Sequence, residues 1–490
     1  CARAPPALGC FTKPLPTLNR RLTPEGASVS AQSGEQSVQP RRPVSRRNFI
    51  EFMGATGAAS AVAAGAGAGP VSAAVATSRS GPRTVAEENA LPGSPPSVWE
   101  SWGDDESIAG FTTRYSYLPG ETVDFKITTR AQGYVVRVFR LGWYQGHGAR
   151  HLQDVSPADV RSQPDPDRDL STGLVDCGNW AVSATWQVPA DAVSGVYYAL
   201  FDPTDGTRSS HTIFVVRRQA PSDILVQTSE MTMHAYNRYG GNSLYYGEPV
   251  GRAYKVSYNR PFNNGEAESN FFNAEIALVR WLERNGFDVA YCGGIDVHQD
   301  AAVPRQGKVF ISSGHDEYVT GPQRDHVEAA RDAGTHLIFM TGNEYFWRVR
   351  FEPSIDGSET PDRTMVCYKE TLANAKIDPL PEWTGTWRDP RFSPPSNGGR
   401  PENELTGQLF RAILPVASPD YRITVPSEYS SHRMWRNTDV ALLKPGQSRD
   451  LSPNTLGYEF DVDSDNGFRP PWLIRLSSTE AEVPQLLTDY

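Results

Sequence analysis

Apolar and polar residues alternate with a period of two between residues 122 and 128. Val123, Phe125 and Ile127 are separated by Asp124 and Lys126, which is the pattern of a strand with one buried face. Comparable short runs, divided by turns rich in Pro, Gly and Asp, lie at 134–141, 181–188, 196–201 and 212–216. Several short strands separated by turns predict a β-sandwich over residues 97–218.

Beyond a boundary at 219–222 the pattern changes to apolar strands that alternate with amphipathic helices. Strands are predicted at 223–227, 287–290, 308–311 and 335–340, and helices at 271–285 and 322–333. Gly286 and Gly334 follow the two helices as C-terminal stops, and Pro322 opens the second one. This order is typical of a parallel, doubly wound sheet. We therefore predict an α+β, two-domain chain, with a β-sandwich followed by an α/β domain over 221–490.

The chain before the sandwich has a different composition. Arg46 and Arg47 precede an uncharged run of mostly Ala and Gly at 52–78, and an A-x-A pattern occupies 74–76. These features predict a twin-arginine export signal; a retained transmembrane helix is the alternative, and the weakly apolar run disfavours it. The predicted segments are a disordered leader at 1–44, the signal at 45–76 and a linker at 77–96. We expect a secreted or extracytoplasmic protein without stable membrane insertion after signal cleavage.

Charge and cysteine usage exclude several classes of partner and site. The net charge of −10 argues against binding to nucleic acid or to an anionic membrane surface. The five cysteines are scattered without a CxxC pair, which argues against thiolate metal sites and a dense disulfide framework. The acidic stretch 461–467 resembles a calcium loop, but its Gly comes one position late and no Glu follows at the right spacing.

Polar side chains cluster after three of the predicted α/β strands. The clusters are Gln227-Thr228-Ser229-Glu230, Gly314-His315-Asp316-Glu317-Tyr318 and Thr341-Gly342-Asn343-Glu344. In a parallel sheet the carboxyl ends of all strands meet at one edge, where open α/β sheets bind ligands. A G-x-S-x-G nucleophile motif is absent, and we predict no helix after Cys292, so this thiol is not placed as a nucleophile. The sequence therefore predicts a polar site at this edge of the sheet.

Several longer stretches carry a resemblance to a known family. They are FRLGWYQGHGAR at 139–150, SGVY at 194–197, AYN at 235–237, GGNSLY at 240–245, VSYNRP at 256–261, VRWLERNGFD at 279–288, GHDEY at 314–318, 343–347 and LGYEFD at 456–461. In these stretches the chain is similar to the N,N-dimethylformamidase large (beta) subunit family, and more closely to its secreted actinobacterial relatives. The resemblance implies a β-sandwich followed by a glutamine-amidotransferase-like α/β domain.

The resemblance also implies a mononuclear ferric site. Its ligands would be Tyr197, Tyr236 and Glu317, two tyrosinates and one carboxylate. Hard ferric iron prefers such anionic oxygen ligands, and a phenolate at neutral pH needs a strong cation beside it because free Tyr has a pKa near ~10.

Catalytic roles would fall on His315, Asn343 and Glu459, while Asp316 is expected to cap the turn. The chain departs from its relatives at Met233-His234 and at Val319, and it stops at Tyr490, where relatives run on.

Two functions are compatible with these features. In the first, the protein is an iron-dependent hydrolase of carbon–nitrogen bonds in linear amides, whose substrate is a small-molecule or peptide-like amide. In the second, it is a catalytically inactive secreted binding or surface module with the same fold. A homo-oligomer or association with a small subunit is a further expectation from the resemblance.

Overall fold

The computed structural model describes residues 83–101, 107–262, 271–391, 399–414, 421–453, 455–483 and 485–487. The predicted leader, the export signal and the first residues of the predicted linker lie outside this part of the chain. In the described part, the fold is a mixed α/β arrangement in which strands outnumber helices. No helix among the described residues is long and apolar enough to cross a bilayer.

The described chain up to residue 216 forms the predicted sandwich. Its strands are β1 Ile108–Thr112, β2 Ser116–Tyr117, β3 Thr122–Thr129, β4 Tyr134–Leu141, β5 Ala149–Val155, β6 Asp167–Asp169, β7 Leu174–Asp176, β8 Ala184–Gln187, β9 Gly195–Pro203 and β10 Ser210–Val216. One sheet has the order β1-β3-β8 and the other β2-β10-β9-β4-β5, while β6 and β7 pair separately. Inward-facing residues of the two sheets meet in one apolar core, as in the contact of Phe125 with Phe201.

The α/β part contains a four-stranded parallel sheet with the order β13-β11-β14-β16. Its strands are β11 Ser222–Thr228, β13 Val289–Gly293, β14 Gly307–Gly314 and β16 His336–Thr341, and β12 is Lys255–Ser257. The helices around this sheet are α3 Glu230–Tyr236, α4 Ile276–Arg284, α5 Gly294–Gln299 and α6 Gly321–Asp332. The prediction that 308–311 forms a central parallel strand is confirmed.

Short strands and helices cover the parallel sheet. These elements are β15 Tyr318–Thr320, β17 Trp347–Glu352, β18 Thr364–Val366, α7 Glu370–Ala373, α8 Asn403–Thr406, β19 Leu409–Ile413, β20 Thr424–Pro426, β21 Ser448–Asp450, β22 Glu459–Val462 and β23 Gln485–Leu486. A second sheet has the order β12-β18-β17-β15, and a third has β22-β19-β23. Two side chains from this later part of the chain, Trp347 and Glu459, reach the carboxyl edge of the parallel sheet, where Trp347 contacts Glu317 and Glu459 contacts Asn343.

The sandwich and the α/β part share one core, and the described residues all belong to one compact unit. The contact also has a buried polar bond: Arg140 on β4 donates from both terminal nitrogens to the Glu283 carboxylate on α4, at 2.9 and 2.8 Å. Tyr291 on β13 donates to the same carboxylate at 3.0 Å. A bidentate pair of this kind fixes the orientation of both partners.

Part of the predicted linker is a short helix, α1 Val85–Asn89. Thr84 caps its first turn in a reciprocal capping box with Glu87, an arrangement that satisfies backbone donors at a helix start. Asn89 is buried and donates to Glu283 at 2.7 Å, while its side-chain oxygen accepts from the Tyr144 backbone N–H at 3.0 Å. These residues are therefore packed structure instead of linker. Pro96–Trp99 forms a further short helix, α2.

The structure also corrects the prediction around Cys292. Helix α5 begins at Gly294, directly after the strand that carries the cysteine, although the Gly-Gly pair disfavours a helix there. Glu230 compensates by accepting from the backbone N–H groups of Gly294 and Ile295 at 3.0 and 2.8 Å. Cys292 is nevertheless fully buried, and burial raises the pKa of its thiol well above the ordinary value. It is therefore not positioned as a nucleophile.

Candidate functional site

The turn after β14 is held in shape by a glycine and by buried hydrogen bonds. Gly314 has φ +82°, and a Cβ there would lie 2.4 Å from Cγ of Glu275, so only glycine fits. Asp316 accepts from Ser312 at 2.6 Å and from Gln227 at 2.7 Å. These bonds tie the turn to β14 and β11, consistent with the structural role expected for Asp316, and they set the directions of the residues on either side of it.

Glu317 is the acceptor at the centre of the site. Tyr245 donates to both of its carboxylate oxygens at 2.9 and 3.0 Å, and Tyr236 donates at 3.2 Å. The indole N–H of Trp347 donates at 3.0 Å, and Nε2 of His315 lies 3.3 Å from Oε2. Glu317 is 3% exposed, and a buried carboxylate stays ionised only with such compensation.

Tyr318 and Lys369 form a second layer around this carboxylate, behind the ring of Tyr245. Tyr318 donates to the hydroxyl of Tyr245 at 2.7 Å, and Tyr245 stacks on Tyr236 with ring centroids 4.2 Å apart. Lys369 is buried, with Nζ 3.3 Å from the ring centroid of Tyr245 and 4.8 Å from that of Trp347. Burial lowers the pKa of Lys369 to about 7, although the negative charge of Glu317 opposes this shift.

Glu317 and His315 shift each other's pKa in opposite directions. Burial acts to raise the pKa of Glu317, but the hydrogen bond and charge of His315 lower it below the usual range. Burial acts to lower the pKa of His315, and Glu317 raises it above the usual range. The phenols respond in the opposite way to a carboxylate: burial and the Glu317 charge raise the pKa of Tyr236 and of Tyr245 well above the ordinary value. Without a cation the two phenols are therefore protonated.

Asn343 and Glu459 lie together next to this cluster. Asn343 Nδ2 donates to Glu459 Oε2 at 2.9 Å, and Asn343 has φ +54°, which Asn tolerates better than most residues. Burial raises the pKa of Glu459, as does the charge of Glu317. Oδ1 of Asn343 is buried and has no hydrogen-bond partner among the described residues. The predicted convergence of the strand ends is thus present, and Glu459, at the start of β22, joins it.

Tyr197 lies elsewhere. Its ring packs in the sandwich core against Trp186 and Phe214, and its hydroxyl donates to the carbonyl of Val193 at 2.8 Å. The neighbouring Tyr198 points to the opposite face of β9 and packs on Trp99. The structure therefore brings together Tyr236, Glu317, His315, Asn343 and Glu459 from the sequence-predicted set, and it does not bring Tyr197 to them.

Tyr318 belongs to the polar cluster predicted after the strand at 308–311, but three other residues around Glu317 were not singled out in the sequence: Tyr245, Trp347 and Lys369. Tyr245 ends the GGNSLY stretch, and Trp347 ends the stretch that begins at Asn343, so the family resemblance carried a signal for both. Lys369 carries no such signal, because it reaches the cluster through the pairing of β18 with β17. Its left-handed backbone, φ +48°, precedes α7.

The donor set fits a hard trivalent cation. Among the described residues there is no group of three His, Cys, Asp and Glu side chains arranged to hold a metal ion; the donors here are mainly phenolic. The hydroxyls of Tyr236 and Tyr245 each lie within 3.2 Å of a Glu317 carboxylate oxygen, and a set of oxygen ligands that can all be anionic matches ferric iron better than zinc. His315 adds an imidazole nitrogen beside them.

Comparison with known proteins agrees with this geometry at the level of family. A sequence model of the family described as "N,N-dimethylformamidase beta subunit-like, C-terminal" matches residues 135–488, well over half of the chain. The N,N-dimethylformamidase beta subunit of an Alcaligenes species is 27% identical over 138 residues, which cover 26% of this chain and 18% of that protein. The same subunit from Paracoccus aminophilus is 25% identical over the same length and with the same shares.

The aligned part thus covers about a fifth of the length of these curated relatives. The family match, in contrast, spans the sandwich from β4 onward and the whole described α/β part, including every residue of the cluster around Glu317. The chain therefore belongs to the N,N-dimethylformamidase beta subunit-like family.

Proposed function

We propose that this protein is an iron-dependent hydrolase of carbon–nitrogen bonds in linear amides. The observation that carries the proposal is the convergence of two phenols, an imidazole and an indole N–H on the buried Glu317 carboxylate. A packing role alone would not require so many polar groups in one buried place, because each costs free energy to desolvate. The names of the relatives, which are subunits of an amide-cleaving enzyme, support the same reaction class.

Tyr236, Tyr245 and Glu317 would hold the iron, with His315 beside it. Tyr245 replaces Tyr197 in this ligand set because its hydroxyl lies 2.9 Å from Glu317 Oε1, whereas the Tyr197 hydroxyl is bonded inside the sandwich core. Ferric iron supplies Lewis acidity, which polarises a carbonyl and lowers the pKa of water.

The chain's own residues would move protons and orient the substrate. Burial raises the pKa of Glu459, which makes its carboxyl group a candidate to accept and return a proton, and His315 is a second candidate for this role. Asn343 holds Glu459 through Nδ2 and leaves Oδ1 free to accept from an amide N–H. Tyr318 would hold Tyr245 in position through the hydrogen bond between their hydroxyls, and Lys369 would do so through its contact with the Tyr245 ring.

The fold, location and assembly belong to the same proposal. The four-stranded parallel sheet with polar strand ends supports a glutamine-amidotransferase-like arrangement.

Arg46-Arg47 and the uncharged run after them support twin-arginine export. Changing both arginines to lysine should keep the protein in the cytoplasm, as measured by fractionation of the native host. The relatives are named as beta subunits, which supports a partner subunit or a homo-oligomer.

The test combines metal analysis with an amide-hydrolysis assay on the full chain purified from its native host. We expect bound iron, a visible absorption band and release of formate together with ammonia from formamide, dimethylamine from N,N-dimethylformamide or the free peptide from a short N-formyl peptide. Glu317→Ala should lose the iron, the band and the hydrolysis. Glu459→Gln should keep the iron and the band, because it removes no ligand, while hydrolysis falls by about 100-fold or more.

If the wild-type protein carries no iron and neither binds nor is coloured by added iron, the metalloenzyme is excluded and the binding module takes its place. If iron is bound but Glu317→Ala retains it, the ligand assignment is wrong.

A further inference from the structure

A small cavity lies between the sandwich and the α/β part, and no residue of the cluster around Glu317 lines it. Residues of β1 and β10 form its sandwich side, and His234, Tyr258, Arg260 and Arg363 form part of the other side. These four residues are each 5% exposed or less. The space that the centre of a water molecule can occupy is about 10 Å³, which is close to the smallest space that holds one water. The cavity therefore has room for one water and not for a larger molecule.

Two polar atoms in this wall lack a protein partner. The hydroxyl of Tyr258 and Nδ1 of His234 are buried and form no hydrogen bond to any described residue. Buried polar groups in native proteins are almost always hydrogen-bonded to protein or to ordered water, because an unpaired buried group costs free energy. A bound molecule in the cavity is therefore expected at these two atoms.

The side chains of His234 and Tyr258 lie next to each other. Their rings stack with centroids 3.9 Å apart and planes inclined by 33°, and both residues border the same cavity. Because the cavity is only as large as one water, a single molecule in it is close to both side chains. One water can therefore serve both polar atoms.

Both groups are neutral near pH 7, as hydrogen bonding to water requires no charge on either. Burial lowers the pKa of His234 well below its ordinary value, and the charges of Arg260 and Arg363 act in the same direction. Burial raises the pKa of Tyr258 well above its ordinary value, as does the charge of Glu230. A neutral imidazole nitrogen is either a donor or an acceptor, depending on the tautomer, and a phenol can be both. A water also donates and accepts, so it matches either tautomer of His234.

An ion fits this cavity less well than water does. Burial lowers the pKa of Arg260 to about 10 and also lowers that of Arg363, while the charge of Asp176 opposes both shifts. The two arginines therefore have a counter-charge and do not require a bound anion. Four hydrogen bonds to backbone carbonyl groups also occupy donors of Arg260. A cation would be repelled by both arginines, so a neutral occupant is favoured.

We infer that this cavity holds one structural water, which forms hydrogen bonds with the Tyr258 hydroxyl and with Nδ1 of His234. Arg363 also lines the cavity, with its guanidinium 5.7 Å from the centroid of the Tyr258 ring, and it is a candidate third partner. His234 belongs to α3, and Tyr258 directly follows β12. The water thus ties α3 to the segment after β12, beside the sandwich. The inference rests on the cavity and not on the proposed amide hydrolysis.

The first test is a high-resolution crystal structure of the full chain, from untreated crystals and from crystals soaked in sodium bromide. We expect one fully occupied water within about 3.2 Å of both polar atoms. Bromide should give no anomalous signal at that position, because the charge of the arginines is already compensated by Asp176.

The second test is urea denaturation of variants. Tyr258→Phe keeps the ring but removes one partner of the water, and its unfolding equilibrium constant should rise about fivefold, the usual effect of one lost hydrogen bond. His234→Phe should have a similar effect. The double variant should also rise by about fivefold instead of about 25-fold, because either change alone releases the shared water. Tyr254→Phe is the matched control: Tyr254 stacks on Tyr368 outside the cavity, and the change should be less than about twofold.

A dry cavity in the wild-type crystals, bromide at the expected position of the water, or retention of the water in crystals of Tyr258→Phe would each overturn the inference. So would a Tyr258→Phe protein as stable as wild type, or a double variant in which the two single effects multiply. If His234→Phe does not fold, the wild-type crystals and Tyr258→Phe still decide the question, because that variant preserves the stacked ring.

Discussion

Tyr197 and Tyr198 are adjacent on β9 and point to opposite faces of the sandwich. A strand places one of two neighbouring tyrosines inside and the other outside, but the sequence does not say which face meets the α/β part. Here Tyr197 fills the sandwich core and Tyr198 faces the shared core. Tyr245 is the aromatic residue that reaches Glu317. It lies in a loop, where the sequence has no helical or strand periodicity that would indicate the direction of its side chain.

This difference gives a prediction at the residue scale, which rests on the proposed iron site. Tyr245→Phe removes the oxygen that lies 2.9 Å from Glu317, so it should abolish most of the iron binding and the visible band expected from that site. Tyr197→Phe should leave both unchanged and lower the free energy of unfolding by about 1 kcal/mol, because it loses one hydrogen bond to Val193. Iron content, absorption and urea denaturation measure the three effects. Depletion of iron in Tyr197→Phe but not in Tyr245→Phe would restore the original assignment.

A second residue-scale prediction concerns Glu275, which is buried beside the turn. Burial raises its pKa to about 7, although hydrogen bonds from Ser229 act against this. In the unfolded chain Glu has a pKa near ~4.3, so the stabilising contribution is complete below that value and is lost as the pH rises through about 7. Glu275→Gln cannot ionise and should gain, relative to wild type, on the order of 1–3 kcal/mol on going from pH 5 to pH 8.

Urea denaturation of wild type and Glu275→Gln at both pH values measures this difference. Identical pH dependence in the two proteins would show that Glu275 does not titrate in this range.

At the scale of elements, the alternation of strands and helices predicted the succession of strands and helices along the chain and the parallel direction of the strands. The predicted strand at 308–311 and the observed Gly307–Gly314 coincide at their apolar core, and the predicted helix at 322–333 differs from Gly321–Asp332 by one residue. Helix α1 was missed because it is shorter than two turns, although Thr84 and Glu87 carry the capping-box spacing. The first part of the predicted 271–285 helix is a π-helical turn, Phe271–Glu275. The spacing of apolar residues in the sequence does not distinguish such a turn from an α-helix.

The polar strand ends could be predicted, but the residues that reach them from later segments could not. Trp347, Lys369 and Glu459 lie 30 or more positions from Glu317 and arrive through strand pairings that depend on tertiary contacts. Sequence patterns report local faces of helices and strands, whereas such pairings are decided by packing of the whole chain.

The turn after β14 gives a prediction at this scale. Gly314→Ala places a Cβ 2.4 Å from buried Glu275 in a left-handed backbone conformation, and it should lower the free energy of unfolding by on the order of 2–4 kcal/mol. Because His315 and Glu317 follow, bound iron should fall as well. Gly334→Ala is the control: it also has positive φ, +102°, but its Cβ meets no atom within 4 Å.

The control should cost about 1–2 kcal/mol from backbone strain alone and leave the iron unchanged. Chemical denaturation and metal analysis compare the two variants, and equal costs at both glycines would mean that the contact with Glu275 relaxes freely.

At the scale of the whole molecule, the Arg140–Glu283 pair joins the sandwich to the α/β part within a shared core. Glu283→Gln would leave the buried Arg140 without its counter-charge and should lower the free energy of unfolding by about 3–5 kcal/mol. Asp154→Asn, at the exposed pair with His151, should have no measurable effect, since exposed pairs contribute little.

Calorimetry and circular dichroism should show one coincident unfolding transition in the wild-type protein, because the core is continuous. Two separated transitions, with only one shifted by Glu283→Gln, would show that the sandwich and the α/β part unfold independently.

The short helix α1 sets a limit on maturation of the polypeptide. Glu88 and Asn89 are buried, and they hold Arg150, Tyr144 and Glu283. A peptidase that cut beyond Thr84 would release these residues and remove their hydrogen bonds with Arg150, Tyr144 and Glu283. Processing after the A-x-A pattern at 74–76 would leave them in place. Cleavage upstream of Thr84 therefore keeps these contacts, and cleavage beyond it breaks them. On the proposed export route, N-terminal sequencing of the secreted protein should find its first residue upstream of Thr84.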